Sequence, residues 1–403
     1  MINSRGISSL RSKMKKNDFN TFILFHSCVI SFGDDYKIVK YLGLVYLCMF
    51  ILLKTSRKMF APFKTLNITI MLFILEVLLS GIHGELYFSQ YSWHVNYLSS
   101  VLLAFQTFVL FFYIEYAISA NKMIKVLNTI IGLLVIYILI VDVYIITHYS
   151  SIIDDSSQIF VIGNKFQVSY LHLMLLAFYF SKPYRKNIVL IFLLFLSVFI
   201  SYSVYCSTGI IGSVLICVLI LLQSRVFFLL YSPYFLCIAM TASMFFVVFV
   251  DLILSYSWFQ QILDLLGENS TLTGRTAIYA QVFDLVNQSL WFGYGNGNGP
   301  TLVDNYVGFG NTQNGIMENI INWGICGIVC LFIMIFILLK SVRRTSRNWA
   351  VLSLLYVFIV MSLVEITMGI NFIFIMSVYL LVSNIPSTIH IRKTTVMQLK
   401  SKI

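Results

Sequence analysis

The sequence predicts an all-α, polytopic integral membrane protein of about twelve transmembrane helices, and three observations predict it. Hydrophobic residues make up 59% of the 403 and charged residues 11%, against roughly 45–50% and 25% in a soluble domain. The apolar residues are gathered into long blocks separated by short clusters of Lys, Arg, Asp, Asn and Gly. Blocks of roughly 17–25 residues cross a hydrocarbon core about 30 Å thick as helices, while open sheets are excluded there because lipid offers no partner for free backbone groups. Lys and Arg, finally, fall almost wholly into alternate clusters, as the positive-inside rule requires of a protein threaded back and forth through a membrane.

The blocks lie near 19–33, 38–53, 66–82, 97–119, 125–147, 166–181, 188–205, 209–223, 226–250, 319–339, 349–366 and 369–385. The first is read as a membrane helix, since Thr21 to Phe32 is followed by Gly33-Asp34-Asp35 in place of the small-residue cleavage site of a removable signal. Lys37 and Lys40 begin the second, where lysine snorkels to the interface. The third, fourth and fifth contain Glu76, Glu115 and Asp142. Each costs roughly 2.5–3.5 kcal/mol at mid-membrane, so all three are expected to face the bundle interior.

With a cytoplasmic N-terminus, of 27 Lys and Arg only Lys37, Lys40, Lys165 and Arg275 lie outside. The basic segments 1–18 and 386–403 are cytoplasmic in this reading, and 251–319 is a large extracytoplasmic loop between the ninth and tenth helices. The net charge of +11 is then an inner-surface property, suited to anionic membrane lipids and not to nucleic acid. Of seven cysteines, all but Cys206 fall inside apolar runs, which fits neither a disulfide scaffold nor a zinc site. The three N-x-S/T sequons at Asn67, Asn269 and Asn287 are read as chance, and no metal or cofactor is expected.

The 251–319 loop holds most of the soluble-looking sequence, and such loops carry function. It opens with Trp258 to Leu263, an apolar-aromatic patch expected to lie at the interface as a short helix. Thr273 then caps a helix expected over 274–290, with Ile278, Val282, Leu285 and Val286 on one side and Ala277, Gln281, Asp284 and Gln288 on another. Arg275 stands in its first turn, beside free backbone N–H groups; it serves there either as an anion-binding group or as an interfacial arginine on lipid headgroups. Gly293-Tyr294-Gly295-Asn296-Gly297-Asn298-Gly299-Pro300 is a turn-forming segment whose bare backbone admits close approach, to a substrate among other partners.

Three strings carry a resemblance. They are Gly274-Arg275 leading to Phe292-Gly293-Tyr294-Gly295, then Asn314-Gly315-Ile316-Met317-Glu318, then Gly324-Ile325-Cys326-Gly327. Together they resemble the O-antigen polymerase and ligase superfamily, whose members share a "G-R … G-x-G" stretch, an "H-N-x-x-L-E" element and a helix bearing "G-x-x-G". Ile162 to Leu173, which includes Lys165, Tyr170 and His172, looks like a segment of Gram-positive capsule and exopolysaccharide repeat-unit polymerases. Two departures stand out: Gln313 replaces the family's frequent histidine, and Cys206-Ser207-Thr208-Gly209 lacks the arginine often found before the eighth helix.

The resemblance implies transfer of a glycan from a polyprenyl-pyrophosphate-linked oligosaccharide to a sugar hydroxyl on the outer face of a bacterial plasma membrane, without metal or nucleotide. Charge growing on the leaving pyrophosphate then needs cations or backbone donors. Among the four outer cations, Arg275 and Lys165 are the implied pair, with Tyr170, His172, Gly293 and Gly295 as substrate contacts. Glu318 is either the base for the acceptor hydroxyl or a helix-start carboxylate favoured by the dipole. Asn314 would position a hydroxyl, and Gln313 stands where a base often stands. His172 either lines the cavity or is a hydrogen-bonded structural histidine.

Gln313 tilts the reading from ligase toward polymerase, acting with a chain-length regulator and a flippase as pathway partners. The competing readings are a ligase-like glycan transferase and a lipid-linked oligosaccharide flippase or transporter, though transporters often show related halves and no internal repeat is evident. A metal-dependent glycosyltransferase using Asp34-Asp35 is disfavoured because their loop is short and a turn dipeptide explains them.

Overall fold

A helix satisfies its backbone hydrogen bonds within one segment, which is what a chain immersed in lipid needs. The computed structural model describes residues 19–29, 37–54, 61–88, 97–152, 158–258, 260–261 and 275–386. Among these no strand occurs; Phe160 and Gly163 make an isolated bridge. The helices are α1 (19–28), α2 (Lys37–Lys54), α3 (Lys64–Phe88), α4 (Tyr97–Ser119), α5 (Met123–Thr147), α6 (Lys165–Phe180), α7 (Asn187–Ser203) and α8 (Ser207–Leu221). After them come α9 (Gln223–Leu230), α10 (Pro233–Leu254), α11 (Arg275–Gln288), α12 (Gly299–Val307), α13 (Gly315–Ser341), α14 (Trp349–Met361) and α15 (Ile370–Ser383).

The chain is thus an all-helical polytopic membrane protein. Among the described residues α3, α4, α5, α10 and α13 are long and apolar enough to cross a membrane, and α7, α8, α14 and α15 are shorter apolar helices. One expected helix is corrected. The block read as 226–250 is two elements, because α9 stops at Leu230 and Pro233 opens α10. Proline has no N–H to continue a helix and disfavours helical backbone in the residue before it, so an unbroken apolar run did not mean an unbroken helix. The carboxylates expected inside are inside: Glu76, Glu115 and Asp142 are all buried. Glu115 accepts a hydrogen bond from Asn67 Nδ2 at 3.1 Å.

Since successive membrane-length helices run antiparallel, the start of α6, the α7–α8 turn, the start of α13 and the α14–α15 turn share one end of the bundle with the described residues of the 255–314 segment. We call it the loop-bearing end. In α11 the amphipathic pattern orients the helix: Ile278, Val282, Leu285 and Val286 are buried, while Gln281, Asp284 and Gln288 are exposed. Burial of four such side chains, at roughly 1.5–3 kcal/mol each, holds α11 against the membrane body.

Helix α13 is broken. Gly324 has φ 64° and ψ −174°, a conformation open essentially to glycine alone. The break releases backbone groups that lipid could not satisfy, and the segment 290–295 satisfies them. Tyr294 N donates to Ile321 O at 2.8 Å and Gly295 N to Asn322 O at 2.9 Å, while Ile325 N donates to Leu290 O at 2.9 Å and Cys326 N to Trp291 O at 3.1 Å. The Ser80 hydroxyl adds a bond to Asn322 O. The insert lies so close to α3 that a Cβ at Gly84 would overlap Tyr294 O, and a Cβ at Gly324 would overlap Trp291 O. Tyr294 itself is buried, its hydroxyl donating to Leu285 O in α11 at 2.8 Å.

Candidate active site at the loop-bearing end

Helix α13 begins with an unusually complete cap. Asn314 has extended backbone and its side-chain oxygen accepts from Ile316 N at 3.1 Å and Met317 N at 3.0 Å, satisfying two of the four N–H groups that every helix start leaves open. Its amide nitrogen reaches Ser243 O at 3.3 Å and Leu363 O at 3.2 Å. One turn on, Glu318 is 3% exposed. Its Oε2 accepts from Thr312 N at 3.2 Å and from the Thr312 hydroxyl at 3.1 Å, and Oε1 lies 3.5 Å from Asn322 Nδ2. Both carboxylate oxygens are therefore engaged from within, near the start of α12, where Gly299 abuts Oε1.

Gln313, between these two, is half-buried and has φ +53°. Few side chains tolerate that left-handed backbone, and two bonds hold it. Gln313 N donates to Asn311 Oδ1 at 2.9 Å, and Gln313 O accepts from the Tyr279 hydroxyl at 3.1 Å. The same hydroxyl lies 3.4 Å from Leu363 O. Tyr279 thus ties α11 to both the start of α13 and the α14–α15 turn. Arg275 opens α11 one helical turn before Tyr279, and positions four apart share a helix face. The Arg275 side chain lies outside the described ones, as do Thr273, Phe259, Ile262, Leu263 and Asp34-Asp35.

A second group surrounds the start of α6. Asn164 caps it, accepting from Gln167 N at 3.2 Å. Lys165 is half-buried beside the Phe166 ring, 5.8 Å from its centre. Tyr170 is buried with its ring 5.1 Å from that of Phe358. Cys206, in the α7–α8 turn, is also buried here. Burial pushes its thiol pKa up, hydrogen bonds with Ser169, Thr208 and the Gly209 backbone pull it down, and the charge of nearby Glu365 pushes it up again. The balance is upward, which favours the protonated thiol.

The α14–α15 turn joins the two groups. Ser362 O accepts from Gly315 N at 2.8 Å, Leu363 O receives Asn314 and Tyr279, and Met368 O accepts from Asn319 Nδ2 at 3.1 Å. A Cβ added to Gly315 would lie 3.1 Å from Glu365 O. The start of α13, with Gln313, Asn314 and Glu318, thus packs on this turn, and Tyr170 lies near its Glu365.

His172, Gly293 and Gly295 are placed elsewhere. His172 is buried deeper in α6, with Nδ1 2.9 Å from Val168 O and Nε2 3.2 and 3.4 Å from the two oxygens of Asp142. The Val168 carbonyl can only accept, so Nδ1 carries hydrogen, and Nε2 faces the Asp142 carboxyl group. Gly293 and Gly295 have φ of +66° and +89° and make the turn expected of them, but the backbones they approach are those of α3 and α13. Among the described residues no cluster of His, Cys, Asp and Glu has the makings of a metal site.

Residues 188–332 match the family model for O-antigen ligase. The match supports a relationship to the O-antigen polymerase and ligase superfamily. The match runs from α7 through the loop to the middle of α13, so it takes in Arg275, the 290–295 insert, Gln313, Asn314, Glu318 and the Gly324 break; Lys165, Tyr170 and His172 precede it. It supports a role in membrane glycan processing. No curated protein and no solved structure matches the chain. Within the matched segment, Tyr279 was not singled out from sequence, although its place one turn after Arg275, beside the apolar face of α11, could have done so.

Proposed function

We propose that the chain is a polysaccharide repeat-unit polymerase of a bacterial plasma membrane, which joins polyprenyl-pyrophosphate-linked oligosaccharides at the outer face. The observation that carries the reading is Tyr279, whose hydroxyl binds α11, the helix that Arg275 opens one turn earlier, to Gln313 O and Leu363 O beside the family-motif residues. In the reaction a hydroxyl oxygen of the acceptor glycan bonds to the anomeric carbon of the donor, the bond from that carbon to the pyrophosphate oxygen breaks, and the hydroxyl proton leaves to solvent. The departing lipid pyrophosphate gains charge. Arg275, able to bind it in bidentate fashion, and Lys165 as a second positive point offset that charge.

Glu318 and Asn314 act in this reading by holding Gln313 at the rim, since their own polar atoms are already engaged. Gln313, in place of the family's frequent histidine, supports polymerase over ligase. The test incubates purified protein in detergent with lipid-linked oligosaccharide extracted from cells lacking the protein, without nucleotide or added metal. A ladder of glycans spaced by one repeat unit is expected. Arg275→Ala and Lys165→Ala are expected to abolish or strongly reduce it while the protein still accumulates in membranes. Full activity in both variants rules out the pyrophosphate assignment; movement of the lipid across vesicles without new glycosidic bonds favours a flippase.

A further inference from the structure

At the end of the bundle opposite the loop-bearing end, the α4–α5 turn and Pro386, just past α15, border a cavity of about 630 Å3. That volume lies within the roughly 300–1,000 Å3 of small-molecule sites. Its wall is of two kinds. Asn121, Lys122, Lys125 and Asn128 supply polar side chains, and Met123, Ile124 and Pro386 supply apolar ones. No Asp or Glu lines it among the described residues. Both lysines are half-buried. Lys122 Nζ donates to the Tyr116 hydroxyl at 3.1 Å and stands 5.1 Å from the centre of that ring. An ammonium carries three hydrogens, so this contact fixes the head and leaves two to donate. The turn itself is pinned by Asn121 N on Ile118 O at 3.0 Å and Lys122 N on Ala117 O at 2.8 Å. The Lys122 side chain does not cap α5, and the partial positive charge of the helix start adds to that of the lysines.

Positive charge gathered around a cavity calls for an anion. Residues 387–403, which follow Pro386 in sequence, carry Arg392, Lys393, Lys400 and Lys402 and no Asp or Glu, so the chain's own continuation offers no counter-charge. Position decides which anion. Helix α5 is long and apolar enough to cross a membrane, so its first turn stands at the depth of the lipid headgroups, where an anionic lipid presents its phosphate to basic residues. The two-sided wall agrees with this. Ammonium and amide groups donate to phosphate oxygens, while Met123, Ile124 and Pro386 suit the glycerol and first methylenes of the same molecule, which a free phosphate lacks.

We infer that this cavity binds the headgroup of an anionic membrane lipid, with Lys122 and Lys125 on its phosphate. The site lies across the bundle from the proposed transfer chemistry and outside the segment that matches the family, and it is independent of the polymerase reading. It differs from the diffuse attraction of basic loops for an anionic surface in being a single saturable site.

The experiment titrates three probes into the purified full chain in an uncharged detergent and follows binding by calorimetry: short-chain phosphatidylglycerol, short-chain phosphatidylcholine and inorganic phosphate. Saturable binding of phosphatidylglycerol is expected, with the other two weaker. Lys122→Gln and Lys125→Gln are each expected to weaken phosphatidylglycerol roughly fivefold, and the double variant at least about tenfold. The single variants keep the question answerable where the double one fails to accumulate. Arg343→Gln with Arg344→Gln removes two exposed charges in the α13–α14 turn, at the same end of the bundle, and is expected to leave the affinity unchanged. An equal loss in that arginine pair would show diffuse attraction and overturn the site, and so would wild-type affinity in the folded lysine variants. Phosphatidylcholine bound as tightly as phosphatidylglycerol also overturns it. Inorganic phosphate bound as tightly as the lipid would overturn the lipid as its source, since the apolar wall would then contribute nothing.

Discussion

Replacing Gly324 by alanine isolates the physical basis of the loop's attachment. Two costs can be assigned. Holding a non-glycine residue near φ 64°, ψ −174° costs about 1–3 kcal/mol. The added Cβ would overlap Trp291 O, so the insert has to move, which breaks the four bonds joining 290–295 to 321–326. At about 0.5–1.5 kcal/mol net each, those bonds contribute roughly 2–6 kcal/mol. The sum, about 3–9 kcal/mol, is a large part of the 5–15 kcal/mol that holds a typical fold together. Heating the detergent-solubilised protein and following the monodisperse fraction by size-exclusion chromatography reads the loss directly. Gly132→Ala is the control. It sits mid-helix in α5 with open space around an added Cβ, and alanine there is expected to be neutral or stabilising by up to about 1 kcal/mol. Gly84→Ala, which displaces the same insert from the α3 side, is expected to behave like Gly324→Ala. Equal thermal stability of Gly324→Ala and Gly132→Ala would refute the interlock.

Three further outcomes follow from the geometry. Thr312→Val keeps the shape but removes the hydroxyl on Glu318 Oε2; it is expected to lower stability by about 1–3 kcal/mol, with Thr312→Ser close to wild type in the same thermal assay. Asp142→Leu or His172→Leu alone leaves half of a buried polar pair and is expected to cost about 3–5 kcal/mol, whereas the double variant costs less than the two singles added; additive losses would show that the pair is not coupled. Tyr279→Phe gives up the bonds to Gln313 O and Leu363 O, so glycan ladder formation is expected to fall at least tenfold while the melting temperature changes by no more than one hydrogen bond explains. A Tyr279→Phe protein with full ladder activity would remove the observation on which the proposed function stands.

The membrane helices were legible because lipid imposes one rule on every segment, and block length with Lys and Arg placement reads it out. The orientation of α11 was legible for a similar reason: Ile278, Val282, Leu285 and Val286 recur at helical spacing, and all four are buried. What escaped was non-local or contrary to the hydrophobic trend. Pro233 sits in a run so apolar that composition outweighed the local backbone rule. The break at Gly324 lies inside a helix whose hydrophobicity continues on both sides, and its partner strand of backbone at 290–295 is far away in sequence. The hydrogen bond from Asn371 to Gln167 spans 204 positions, and nothing near either residue announces the other. At the start of α13 the contact of Thr312 with Glu318 could not be read from sequence, since it exists only once the loop is folded back.

The two glycine motifs now have one explanation. "G-x-G" at Gly293–Gly295 and "G-x-x-G" at Gly324–Gly327 contribute the facing sides of a single interlock, the first through backbone that approaches α3 and α13 closely, the second through the break that receives it. Such a joint asks for absent side chains and free N–H and C=O groups, and asks little of the residues between, which is why the motifs are degenerate. It also fixes α11 at its far end, through Tyr294 to Leu285 O and Tyr87 to Gln288, as Tyr279 fixes it near its start. In the proposed reading both attachments together position Arg275, at the start of α11. A change in the glycines should therefore displace the cation without altering its charge, and a change at Arg275 should remove the charge without loosening the helix. Stability and transfer activity, measured side by side on Gly293→Ala and Arg275→Ala, should separate accordingly: both lost in the first, only transfer lost in the second.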